Sequence, residues 1–252
     1  MTGDIQRYAS YKDQFQFSGE QIYELIYERN KTQIRTKRRS VALVNLKRIF
    51  EHTFRISRRD GFREMSLRQL SHESGISIGG IYACIESKQA LAQMACDCVT
   101  YIGVQHLQST VVPRQQPATL AEFLRNSAFL AELMHEWLHF VFVDVRSMRG
   151  TTESEFSRLT SLFVAGVDRL SSLQDGRPAD GEVIDRTHAL EARLALLLIG
   201  DWVQRREQFL REGHSIDTYA DYVVATLSRD SDQSSPAPNP GPVEALSGVD
   251  VI

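Results

Sequence analysis

Residues 135–139 read His-Glu-Trp-Leu-His, two imidazoles one helical turn apart with a glutamate between them. On a helix that spacing puts both ring nitrogens on one side, where they can share a divalent cation while the carboxylate serves as general base for metal-assisted hydrolysis. A peptidase of this kind needs a third protein ligand. In the extended form of the pattern the required Gly and third His fall on Phe142 and Val145. Glu153 and Glu155 follow a helix break and complete no motif, so hydrolysis is excluded as the main reading.

The same residues support another chemistry. Glu132, His135, Glu136 and His139 are spaced by three and four, which makes one polar stripe on an otherwise apolar helix carrying Phe129, Leu133, Trp137 and Phe140. Asp185 and His188 repeat the acid-x-x-His spacing elsewhere, and His106 continues the stripe of Leu91, Ala95, Cys98 and Ile102. A rise of about 1.5 Å per residue brings His106, His135, Asp168 and His188 to similar heights in an up-and-down bundle. Acid-x-x-His on two helices with further carboxylates is how helical bundles hold di-iron or di-manganese centres. The expectation is therefore a di-iron or other divalent metal centre drawn from His106, Glu132, His135, Glu136, His139, Asp168, Asp185 and His188. Two alternatives stay open. The stripe could line a polar pocket for an organic effector, or each histidine could be a hydrogen-bonded core or surface imidazole.

The elements that must position these residues are helical. Apolar residues recur at helical spacing near 40–60, 88–108, 118–147, 152–173, 182–211 and 216–228, and no segment alternates as a strand. Ser18 is placed to cap a helix carrying Ile22, Leu25 and Ile26. In the helix ending at Asp60-Gly61, the expected face is Val41, Val44, Leu46, Ile49, Phe50 and Phe54. Breaks are expected at Pro113 with Pro117, at Arg149-Gly150-Thr151, from Gly176 to Gly181 and at Gly213. A tail holding four of the seven prolines is expected to be disordered. A hydrophobic fraction of 42% with 24% charged residues is that of a globular domain. No apolar run approaches a bilayer span and the N-terminus lacks a signal-peptide core, so no membrane partner is expected. Three cysteines in no framework spacing point to a reducing, cytoplasmic location.

Charge is unevenly spread. From Lys31 to Lys88 there are 13 basic and 5 acidic residues, while the remainder holds 16 basic and 27 acidic. A basic block on an acidic body is the balance of a nucleic-acid-binding head on a scaffold, or else of a solvated charged face. Inside the block, SLRQLSHESG and SIGGIYACI read as two short helices with Ser66 and Ser77 as N-caps and Gly75 at the turn, a helix-turn-helix with Leu67, Leu70, Ile76 and Ile81 as its core. The second helix opens on small residues, as backbone approach to a major groove requires.

The stretch from Asn45 to Leu91, with Phe54, Gly61-Phe62, Ser66, Gly75-Ile76-Ser77, Gly79, Tyr82, Ser87-Lys88 and Leu91 in place, resembles the DNA-binding domain of TetR-family (tetracycline-repressor-like) transcriptional regulators. The resemblance implies phosphate contacts from Ser66, Tyr82 and Lys88, and a groove-facing set of Arg68, Ser77, Ile78, Gly79, Gly80 and Ala83. Ile78 departs from a usual polar or basic residue and Ala83-Cys84-Ile85 from an aromatic-rich run, so base readout would lean on methyl contacts and DNA shape. Arg35, Lys37, Arg38 and Arg39 would form a minor-groove arm, or simply a solvated helix start. It also implies an all-α fold of four parts: an N-terminal extension (1–34), the helix-turn-helix domain (35–90), an effector-binding and dimerisation bundle (91–227) and the tail (228–252). The last two long helices would pair across a homodimer through Leu190, Leu194, Leu197, Ile199, Tyr219, Val223 and Leu227, unless these form the monomer's own core.

The function so implied is a repressor of double-stranded operator DNA, controlled by a small-molecule or metal effector, and not an enzyme. LLLIGDWVQRREQFLREG and FVFVDVRSMRG loosely resemble the subgroup answering to fatty-acyl or acyl-CoA ligands. The rival from another class is a ferritin-like metal-dependent oxidase built on the same stripe.

Overall fold

A computed structural model describes residues 7–17, 19–111, 119–145, 152–177 and 184–228. Ser18, the breaks at 113–117 and 149–151, the start of the helix expected at 182 and the tail from 229 lie outside the described residues, as do the side chains of Glu153 and Glu155.

All the described elements are helical, in the order α1 (Tyr8–Gln14), α2 (Gln21–Asn30), α3 (Arg39–Asp60), α4 (Leu67–Ser74), α5 (Ile78–Cys84), α6 (Lys88–Val111), α7 (Leu120–Leu133), α8 (His135–His139), a π-helical turn (Phe140–Asp144), α9 (Thr152–Gln174), α10 (Arg186–Arg211) and α11 (Ile216–Ser228). No helix among them is long and apolar enough to cross a membrane.

Two apolar cores form. The N-terminal one gathers α2, α3, α4, α5 and the first half of α6 around Leu46, Phe50, Leu70 and Ile81, all fully buried. Trp137 and Phe140, from α8 and the π turn, close it against Phe50, Phe54 and Phe62 at ring separations of 4.8 to 5.2 Å. The second core joins α1 and the end of α6 to α7, α9, α10 and α11 around Phe123, Phe129 and Trp202. Helix α6 runs through both, so the head stands on a shared strut.

Three local features depart from the expectations. Val41 and Val44 are exposed, because Ala42, Leu46, Ile49, Phe50 and Thr53 form the buried strip of α3 and a helix cannot turn both faces inward. The helix expected over 118–147 starts on a Thr119–Glu122 capping box but stops at Met134, whose φ of −98° and ψ of 15° leave the helical region. It resumes as α8 and then widens into the π turn, closed by a bond from Val145 N–H to the Phe140 carbonyl. Finally α1, absent from the sequence reading, docks on the body. Tyr11 is buried beside Phe129, and the Tyr8 N–H donates to Asp217 Oδ1.

Candidate nucleic-acid interface and the polar clusters of the body

The helix-turn-helix is held by short-range bonds that its sequence dictates. Ser66 Oγ accepts from the Gln69 N–H at 3.1 Å and Ser77 Oγ from the Gly80 N–H at 3.2 Å, so each serine caps its helix. Gly75 ends α4 at φ +66°, a left-handed conformation that costs a β-carbon-bearing residue about 1 kcal/mol or more. The Ser71 hydroxyl ties the turn by donating to the Ile76 carbonyl at 2.6 Å.

Leu70, Ile76 and Ile81 are buried beneath this frame, as their spacing predicts. Ser77, Ile78, Gly79 and Tyr82 stand exposed on the outer face of α5, with Arg68 exposed on α4. The two adjacent glycines differ in role. A β-carbon at Gly80 would lie 2.8 Å from Cγ2 of buried Ile76, so that glycine serves packing. One at Gly79 would meet nothing within 4 Å. Nothing inside the fold requires a glycine there.

Two cations expected to meet DNA, Lys88 at phosphate and Arg35 in the minor-groove arm, are engaged internally. The Lys88 ammonium donates to the carbonyls of Phe62, Arg63 and Met65 at 3.1, 2.7 and 3.0 Å, which uses all three of its N–H groups to hold the α3–α4 turn. Arg35 straps the C-terminal end of α5, its N–H on the Ala83 carbonyl at 2.8 Å and its guanidinium on the Tyr82 carbonyl at 2.6 Å. Ala83 is half-buried beneath that strap. Arg39 faces Glu24 and Glu28 at 3.6 and 3.7 Å. Of the expected arm, Lys37 and Arg38 remain as exposed cations without ion pairs among the described residues. Arg48, with a guanidinium nitrogen 3.0 Å from the β-carbon position at Gly75, adds a cation over the turn that the sequence reading missed.

The eight ligand-type residues of the body form three separate groups rather than one centre. Asp185 caps α10, accepting from the Thr187 N–H at 2.7 Å. Its own N–H donates to Asp168 Oδ1, which also accepts from His188 Nδ1 at 2.9 Å. His106 stands apart with Tyr11 and Ser127. The Ser127 hydroxyl spends its proton on the Phe123 carbonyl at 2.8 Å, so it accepts from His106 Nε2 at 3.2 Å and leaves Nδ1 to accept from Tyr11 Oη at 3.3 Å.

Glu132, His135, Glu136 and His139 form the third group, a polar seam between α3, α7, α8 and α10. Glu132 takes both arms of Arg206 at 2.7 and 2.8 Å and the Trp202 indole N–H at 2.9 Å. His135 Nδ1 faces an Arg58 nitrogen at 3.3 Å. A guanidinium has only protons to give, so Nδ1 accepts and Nε2 carries the hydrogen that it donates to the Val203 carbonyl at 3.0 Å. Glu136 pairs with Arg58 at 3.1 Å, His139 lies 3.8 Å from Asp144, and Asp144 accepts from the Ser57 hydroxyl at 2.6 Å. Thus in the expected metal stripe the lone pairs of Glu132, His135 and Glu136 are taken by arginines and an indole, and His135 gives its remaining ring proton to a backbone carbonyl. Among the described residues no group of three or more His, Cys, Asp or Glu side chains is arranged to hold a metal ion.

Both neutral imidazoles have a consequence for acid stability. Burial pushes His106 and His135 down to about 4, with the Arg58 and Arg206 charges adding to the effect on His135. In the unfolded chain these rings titrate near ~6.5. As pH falls, the unfolded state takes up protons first, so stability held above about 6.5 is lost progressively down to about 4. The urea midpoint should stay level from pH 8 to 7 and decline below about 6.5, less steeply in His135→Gln. A midpoint unchanged from pH 7 to 5 would contradict the assignment of neutral rings.

No protein-family model matches the chain, and no curated protein is significantly similar to it. Among solved structures, the transcriptional regulator FadR from Bacillus subtilis in complex with stearoyl-CoA is similar to this chain at 13% identity and a TM-score of 0.49, covering 72% of this chain and 96% of that one. A likeness that remote carries no argument about function, which rests on the site geometry.

Proposed function

We propose that this protein is a transcriptional regulator that binds duplex DNA as a homodimer through α5 and acts as a repressor under the control of a small-molecule effector. The observation that carries the reading is the open start of α5. Ser77, Ile78 and Gly79 are exposed, Gly79 has no internal reason to be glycine, and the helix is held rigidly on α4 by capped, hydrogen-bonded ends. Such a helix can bring its backbone close to base edges in a major groove. The surplus of basic residues between Lys31 and Lys88, with Lys37, Arg38 and Arg68 exposed, supports a head that meets phosphates.

Control would pass through the seam. Helix α3 carries the head and is fastened to α8, to the π turn and, through His135, to α10 by Arg58, and by Ser57 on Asp144. An effector that favours one placement of α8 over another would move α3 and shift the population of DNA-competent dimers by its difference in affinity for the two. In vitro selection from a random duplex pool should enrich an inverted repeat with half-sites about one helical turn, ~34 Å, apart. Failure to enrich any sequence would count against the proposal.

The exposed face of α10 supports the dimer. Leu190, Leu194 and Leu197 are 68%, 41% and 71% exposed at spacings of four and three, a stripe too apolar to leave in water. Tyr219, Val223 and Leu227 are instead buried in the monomer's own core, and Tyr222 is the α11 aromatic left facing outward. Leu197→Glu should leave the fold intact and weaken self-association at least about a hundredfold. Sedimentation equilibrium reads the outcome directly: a dimer that persists unchanged would place the interface elsewhere.

A further inference from the structure

Between α2, α3 and α8 lies an open cleft of about 750 Å³ that borders the seam and shares Arg58 and Glu136 with it. Its floor is aromatic: Tyr23, Phe54 and Trp137 pack there, with Phe54 and Trp137 rings 4.9 Å apart and Tyr23 and Trp137 6.0 Å apart. Its rim is cationic, because Arg55, Arg58 and Arg59 fall at spacings of three and four along one side of α3.

The three guanidiniums are not equivalent. Arg59 is held by Asp60 at 2.7 Å and Glu73 at 2.6 Å, and Arg58 is shared between Glu136 and His135. Arg55 is exposed and has no ion pair with a carboxylate among the described residues. Glu51 and Glu136 also line the cleft. With Arg59 held by Asp60 and Glu73 and Arg58 by Glu136, Arg55 is the cleft guanidinium without a carboxylate at ion-pair distance among the described residues, and the surrounding acids would repel a multiply charged ligand.

We propose that this cleft binds a monoanionic organic ligand with a flat apolar body, an aromatic carboxylate in chemical class. The carboxylate would take Arg55 and the exposed edge of Arg58 as a bidentate partner, while the ring system lies over Trp137 and Phe54. The volume suits one small molecule. Such a ligand touches α2, α3 and α8 together, so it would fix the placement of the helix that carries the head. The assignment rests on the regulator reading for that consequence, although not for binding itself.

The test is calorimetric titration of the full chain with 2-naphthoate, its neutral amide and naphthalene-2,6-dicarboxylate. The expected result is saturable binding of 2-naphthoate, at least about tenfold tighter than either comparison compound. Arg55→Gln should abolish the preference for the anion over the amide, whereas Arg169→Gln, at an exposed arginine of α9, should leave it unchanged. No saturable binding below about 5 mM would overturn the proposal, as would equal binding of anion and amide or binding indifferent to Arg55→Gln. The measurement contains no DNA. A protein that binds naphthoate through Arg55 yet selects no duplex would keep the cleft and lose the regulator reading, and the converse result would do the reverse.

Discussion

Gly79→Leu is expected to leave the protein as stable as before, or more stable by about 0.5 kcal/mol, while weakening duplex binding by about a hundredfold or more. The two effects have separate causes. In the fold a β-carbon at this position meets open space, and replacing glycine inside a helix lowers the conformational entropy of the unfolded chain. In a complex the same side chain would stand between the start of α5 and the floor of the major groove, holding the backbone away from base edges. Gly80→Ala should behave in the opposite manner, losing stability because its β-carbon crowds the stiff, buried Ile76. Urea melts and fluorescence anisotropy on the two variants together distinguish a DNA-facing glycine from a packing one. A Gly79→Leu protein that binds its duplex normally would remove α5 from the interface.

Glu132→Ala is the substitution expected to cost the most stability, about 3 kcal/mol. The carboxylate is 10% exposed and satisfies Arg206 and the Trp202 indole at once, so its removal strands a guanidinium and an N–H near the second core. Arg206 keeps 26% exposure, which places the loss at the lower end for a broken buried pair. Burial by itself would raise this carboxyl, but the donations from Arg206 and Trp202 overcome it and hold the group below the usual glutamate range. A depressed carboxyl contributes stability above its unfolded pKa and loses it as pH falls through the folded value. The pair therefore helps at neutral pH and fails in acid, below about 4.5. A chemical melt at pH 7 in which Glu132→Ala unfolds with wild-type midpoint would show that the seam does not hold α7 to α10.

What was legible in the sequence was local. Ser66, Gly75 and Ser77 each act within three or four residues of themselves, so the caps and the turn of the helix-turn-helix could be read from type and spacing. The long helices α6, α7, α9, α10 and α11 were visible in their apolar period for the same reason, and so were the breaks that fall at left-handed Gly176 and Gly213. The features that local spacing does not decide are long-range. The Glu-x-x-His spacing is identical whether a metal or an arginine stands opposite. The residues that decide it, Arg58 and Arg206, lie 77 and 74 positions from His135 and Glu132 respectively. Nothing within 118–147 announces the break at Met134 or the π turn beyond it, since neither proline nor glycine marks them. Lys88 looked like a phosphate ligand at a helix start, and only the return of the α3–α4 turn onto its ammonium shows where its three protons go.

The central claim, that the basic head lies along duplex DNA, is tested most directly by anisotropy on the selected duplex and a scrambled one across a salt series. The account predicts affinity for the selected duplex about a thousandfold tighter than for the scrambled one near 0.1 M salt, with both weakening steeply as salt rises. Equal affinity for the two duplexes, or no binding even near 0.02 M salt, would contradict it.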